Sequence, residues 1–85
     1  MKRSFEKFVD RLEAIGLRTK VEARALHSHV SLRDLYMAQG RARSIAAARR
    51  SVYVWLIKTG KSNIEIARLF DRAPSGVLKL TRGKS

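Results

Sequence analysis

Cationic side chains dominate the groups in this sequence that could take part in chemistry. Lysine and arginine supply 19 of the 85 residues, aspartate and glutamate only seven, and the formal net charge is +12. There is no cysteine. His27 and His29 stand two apart and therefore point to different faces of a helix, which disfavours a shared metal site. No glycine-rich phosphate loop or nucleophile motif is present. The sequence predicts a binding protein with no enzyme activity, metal or cofactor.

Several of the few carboxylates are accounted for as helix starts. Each of Glu22, Asp34 and Glu65 follows a serine or threonine by three residues, the spacing of a capping box. These side chains are expected to stabilise helices, so they offer little for acid–base catalysis.

The positive charge is concentrated in the second half of the chain. Residues 1–40 hold eight Lys/Arg and five Asp/Glu, a net charge of +3, whereas residues 41–85 hold eleven and two, a net charge of +9. Such an excess on a small domain indicates a polyanionic partner, and double-stranded DNA is the expected one. A membrane is not expected as partner, because the first helix has a polar face of mixed charge.

Residues 62–82 have the pattern of a helix-turn-helix. Ser62 and Glu65 form a capping box, Pro74 suits the first turn of a second helix, and Val77 and Leu80 give that helix an inward side. In this motif the second helix enters the major groove of DNA.

The segments upstream supply support helices. Apolar residues recur at helical spacing over residues 4–15, 19–29, 31–37 and 44–59, with Gly16, Gly40 and Gly60 as stops. We expect an all-α fold, a small bundle of five to six helices with a C-terminal helix-turn-helix. The single domain, 1–85, divides into an N-terminal amphipathic helix, support helices with a basic loop, and the helix-turn-helix, at residues 1–18, 19–61 and 62–82.

The residues expected to bind DNA are basic, hydroxyl or small residues in the second half. Arginines on the connection into the long helix suit a narrow minor groove, and the last helix carries few strong base readers. The predicted DNA-binding residues are Arg41, Arg43, Ser44, Arg49, Arg50, Lys61, Ser62, Arg72, Ser75, Gly76, Lys79 and Arg82.

The apolar stripe of the first helix leaves a second interpretation open. The stripe consists of Phe5, Phe8 and Leu12, which would either pack into the core or form a homodimer. If they instead dock another protein, the chain is a protein-interaction module. A small RNA-binding protein is a further alternative, although the aromatic residues are expected to be buried and so unable to stack on bases.

Two stretches carry a family resemblance. Arg41, Arg43 and Ser44 match a basic R-x-R-S stretch, and the run VSLRDLY at residues 30–36 matches a short helix before it. The same family has a helix-turn-helix motif after these segments. The residues here that match it are Ser62, Glu65, Ile66, Phe70, Arg72, Ser75 and Val77. Over roughly residues 20–80 the pattern resembles the C-terminal DNA-binding domain of the bacterial replication initiator DnaA, a Trp-repressor-like helix-turn-helix fold. It also resembles the DnaA-like N-terminal domain of a gene transfer agent activator.

The resemblance implies a bacterial or phage transcription regulator in the cytoplasm, associated with the nucleoid. Contact with the transcription machinery would need further chain. The family's Asp-His pair is replaced by Ala73 and Pro74, and its second threonine by Gly76. In the family these positions recognise the initiator's own DNA box. We therefore expect this chain to share the family's fold but not the DNA sequence that the family recognises.

Overall fold

Six helices make up the part of the chain that a computed structural model describes, residues 4–37 and 43–81, and no strand occurs there. This confirms the predicted all-α bundle. The helices are α1 (Ser4–Ala14), α2 (Arg18–His27), α3 (Leu32–Met37), α4 (Arg43–Lys58), α5 (Asn63–Phe70) and α6 (Pro74–Thr81).

Four of the helices end in the same way, with a residue of positive φ. At Gly16 and Gly60, φ is 72° and 104°, and the amide of the following residue donates to a carbonyl five residues back. This is the Schellman motif, and it confirms the glycine stops predicted for α1 and α4. His29 and Asp71 occupy the same position after α2 and α5 with φ of 60° and 52°, although neither is glycine.

Helix starts follow the predictions less closely. Ser31 caps α3, since its Oγ accepts from the Asp34 amide at 3.1 Å. The predicted capping box at Thr19 and Glu22 is wrong, because α2 begins at Arg18 and has Leu17 as its N-cap without a side-chain hydrogen bond. Leu17 packs against the core and its carbonyl accepts from the Val21 amide, so α2 starts directly after the end of α1.

The core is built around aromatic rings from four helices. Phe8 of α1 stacks on Tyr36 of α3 with ring centroids 4.5 Å apart and meets Phe70 of α5 at 4.9 Å. Tyr53 of α4 contacts the same Phe70 edge-on at 5.0 Å. Such pairs add to the free energy gained by burying their area. The contacts of Phe8 and Phe70 therefore connect α1, α3, α4 and α5.

The burial of α1 corrects one interpretation of its apolar stripe. Phe8 and Leu12 have no exposed surface, and Phe5 is half-buried against the same core. These side chains pack within the core of the chain itself. The proposed homodimer or docking surface through Phe5, Phe8 and Leu12 is therefore wrong for Phe8 and Leu12, which cannot contact a partner without unfolding α1.

Candidate nucleic-acid interface

The helix-turn-helix consists of α5, a three-residue turn and α6. Ser62 and Glu65 form the predicted capping box: Ser62 Oγ accepts from the Glu65 amide at 3.2 Å, and a Glu65 carboxylate oxygen accepts from the Ser62 amide at 3.4 Å. Ala67 is buried, which is consistent with a close approach of the two helices. Pro74 begins α6 as predicted. Local sequence signals thus fix both helix starts of the motif.

The second helix of the motif, α6, has one buried and one exposed side. Val77 is fully buried and Leu80 is half-buried, as predicted. Ser75, Gly76 and Lys79 are exposed. Leu78 is also exposed, at 47%, and α6 contains no acidic residue. This outer side offers a hydroxyl, an ammonium group and an apolar side chain to a ligand.

Asp71 ties the turn of the motif to α1 and α3. The Tyr36 hydroxyl donates to Asp71 Oδ2 at 2.5 Å, and Arg11 Nη2 donates to the same oxygen at 2.8 Å. Arg11 also donates to the Leu69 carbonyl, with Nη2 at 3.0 Å. Because Asp71 is itself in the left-handed conformation, these bonds hold a strained residue in place. Neither Tyr36 nor Arg11 was among the predicted site residues.

Hydrogen bonding and burial shift the pKa values of Asp71 and Tyr36. The Tyr36 hydroxyl lowers the pKa of Asp71 by stabilising its charged form, and Arg11 acts in the same direction. Burial raises the pKa of Tyr36, and the Asp71 carboxylate raises it further. Both groups therefore keep their roles near neutral pH, Tyr36 as a donor and Asp71 as an acceptor.

A prediction on pH dependence follows for Asp71→Asn, which suits the left-handed conformation but has no charge. The stabilisation from Asp71 is fully present above the ordinary carboxylate pKa of about 3.9 and is lost as the pH falls through the lowered pKa of the folded state. The variant should therefore be less stable than the wild-type chain near neutral pH, and the difference should shrink in acid. Since the Asp71 side chain is 53% exposed, we expect a difference below about 1 kcal/mol.

Urea unfolding of both chains across this pH range measures the difference directly. An equal gap at neutral and strongly acid pH would contradict the role assigned to the Asp71 charge.

Two of the predicted DNA-binding arginines are bonded within the chain. Arg72 Nη2 donates to the Tyr36 carbonyl at 2.8 Å, and Arg49 Nε donates to the Leu35 carbonyl at 2.8 Å. Both carbonyls belong to the last turn of α3, where backbone acceptors lack helical partners and positive charge is favoured. Burial lowers the pKa of Arg49, and the nearby Arg72 lowers it further. The structure thus gives both arginines a role in holding α3 against the helix-turn-helix and α4.

The other predicted residues fall into separate groups. Lys61 Nζ lies 4.0 Å from Glu65 Oε2, and Ser62 is the N-cap of α5. Arg43 and Ser44 are exposed at the start of α4, so Arg43 belongs to a helix rather than to the connection before it. Arg50 is half-buried on α4. Arg41 and Arg82, and the helix stop predicted at Gly40, lie outside the described residues.

The described part of the chain holds no group of three or more His, Cys, Asp or Glu side chains that could bind a metal ion. Among the same residues, no helix is both long and apolar enough to cross a membrane.

No protein-family model matches this chain, and no match was found among curated proteins or among solved structures. The resemblance to the DnaA domain therefore stays a prediction that depends on the quoted motifs.

Proposed function

We propose that this chain is a DNA-binding domain of a bacterial or phage transcription regulator, which places α6 in the major groove of duplex DNA. The observation that carries the proposal is the exposed side of α6. It presents Ser75 and Lys79 without any carboxylate, on a helix anchored by the buried Val77. A helix held by one side and free on the other is the arrangement by which a helix-turn-helix reaches a groove.

The charge of the chain supports the same partner. A net charge of +12 on 85 residues favours a ligand that carries a dense row of negative charges, and neutralising phosphates releases counterions from DNA. The turn before α6 is also fixed in space, because Asp71 and Arg72 are both bonded to Tyr36. A fixed turn positions α6 before binding, which reduces the ordering cost of association.

The expected DNA contacts are of two kinds: some position the domain on the DNA backbone, and others distinguish between bases. Arg43 and Ser44, exposed at the start of α4, are suited to phosphates or to a minor groove, together with Arg41. On α6, Lys79 can donate to a guanine or a phosphate, and Leu78 offers an apolar contact to a thymine methyl group. With so few base readers, the domain is expected to bind many sequences with moderate preference.

A salt titration on duplex DNA tests the proposal. The logarithm of the binding constant should fall linearly with the logarithm of the salt concentration, at about 0.9 per phosphate contacted, and a domain with several contacts should lose affinity by orders of magnitude across the accessible range. The protein is titrated into a labelled random-sequence duplex, and single-stranded RNA of equal length serves as competitor. Affinity that hardly changes with salt, absence of binding at low salt, or stronger binding to the RNA would refute the proposal.

On this proposal the protein resides with the bacterial nucleoid in the cytoplasm.

A further inference from the structure

A second basic surface lies in a groove that residues of α2 and α4 line. The groove has a volume of about 390 Å³, and all of its lining residues belong to α2 and α4. Three of them are cations: Arg24 from α2, with Arg50 and Lys58 from α4. We refer to this surface as the α2–α4 groove. None of its lining residues belongs to α5 or α6, and none is Arg43 or Ser44, the proposed DNA contacts at the start of α4.

The charges of the groove are unbalanced. No carboxylate is among the residues that the structure describes as lining it. Arg50 is half-buried, and its Nε is buried without a hydrogen-bond partner among the described residues. Burying a charged group without compensation costs free energy, and an anionic group bound to this guanidinium would offset part of that cost. The groove is therefore complementary to a negatively charged ligand.

The groove is also partly apolar. Trp55 is half-buried along it, and the Arg24 guanidinium lies 4.9 Å from the centroid of the indole ring. Val54 and Ala47 add small apolar surface between the cations. Phosphate-binding surfaces of DNA-binding proteins are mainly polar and charged, whereas aromatic and arginine side chains together are enriched at protein interfaces. The mixture of cations and apolar surface thus favours a peptide over a phosphate backbone.

We propose that the α2–α4 groove binds an acidic segment of a partner protein, which places an apolar side chain against Trp55 and carboxylates against Arg24, Arg50 and Lys58. The site uses no residue of α6. The inference does not depend on DNA binding.

The single tryptophan of the chain makes the groove observable in the intact protein, because Trp55 is the only source of indole fluorescence. The probe is a synthetic peptide of about 14 residues with glutamates on one side and leucines on the other, free of aromatic residues. A second peptide has the same glutamates and alanine in place of leucine. The leucine peptide should change Trp55 emission saturably, and the alanine peptide should bind at least about fivefold more weakly, because it cannot fill the apolar surface.

Variants locate the binding. Lys58→Glu reverses a charge at an exposed position of the groove, so the labelled leucine peptide should bind about tenfold more weakly in an anisotropy assay. Lys7→Glu is the matched control: Lys7 is also exposed, lies on α1 and does not line the groove, so its loss should stay within about twofold. Circular dichroism confirms that both variants are folded.

Several results would overturn the inference. It fails if the leucine peptide is not preferred to the alanine peptide, if its binding does not saturate, or if Lys7→Glu loses as much affinity as Lys58→Glu. Displacement of the peptide by duplex DNA, with an equal loss of DNA affinity in Lys58→Glu, would instead assign the groove to the phosphate backbone. Because the peptide assay contains no DNA, a failure of the proposed DNA binding leaves its result unaffected.

Discussion

Reversing the charge of Lys79 is expected to weaken binding to duplex DNA by about 10- to 100-fold at moderate salt, while the fold stays intact. Lys79 is exposed on the outer side of α6, opposite the buried Val77. Glutamate at this position would remove one attraction to phosphate or guanine and add a repulsion. The loss should be smaller at high salt, where charges are screened, so the slope of affinity against salt should decrease. Binding isotherms at several salt concentrations measure both effects.

The control for Lys79→Glu makes the same change of charge elsewhere. Lys20→Glu lowers the net charge equally at an exposed position on α2 and should reduce DNA affinity only a few-fold through the overall field. If the two variants lost affinity equally, α6 would have no special place at the DNA, and the binding would come from net charge alone. A thermal melt of each variant excludes unfolding as the cause.

Phe70→Ala is expected to lower the free energy of unfolding by several kcal/mol, the largest loss of stability among the variants considered. Phe70 is 1% exposed and contacts Phe8 of α1 and Tyr53 of α4, so its removal leaves a cavity where three helices meet. Truncating a buried phenylalanine typically costs about 3–5 kcal/mol. An 85-residue domain has a free energy of unfolding of about 4–13 kcal/mol, so the loss would remove between about a quarter and all of the stability. Urea unfolding followed by circular dichroism measures the change.

The matched variant for this experiment is on the same helix. Ile64 of α5 is 54% exposed, and Ile64→Ala should change the free energy of unfolding by less than about 1 kcal/mol. Equal losses at the two positions would mean that Phe70 does not join the helices into one core. Since Phe70 directly precedes the turn, Phe70→Ala should also weaken DNA binding in proportion to the unfolded fraction.

Much of the secondary structure could be predicted because its signals are local. The stops at Gly16 and Gly60 and the capping box of Ser62 and Glu65 depend on residues within one or two turns of each other. The start of α2 was mispredicted where a local signal at Thr19 competed with the packing of Leu17. The inward and outward sides of α6 also followed from helical spacing alone.

The partners of the charged side chains could not be predicted in this way. Arg49 and Arg72 match a basic, DNA-binding pattern in the sequence, yet both donate to carbonyls of α3. Arg11 reaches Asp71 across 60 positions of the chain. No spacing rule connects residues so far apart, because their meeting depends on how whole helices pack. The same holds for Arg24 and Trp55, whose contact creates the α2–α4 groove.

The sequence by itself determined that this protein is helical, strongly cationic in its second half, and equipped with the starts and stops of a helix-turn-helix. These properties depend on composition and on interactions a few residues long. Only the tertiary structure decided which cations stay exposed, since burial and hydrogen bonding are properties of the assembled core. Lys79 is exposed on α6, whereas Arg49 and Arg72 donate hydrogen bonds to carbonyls of α3 and so help to position α6.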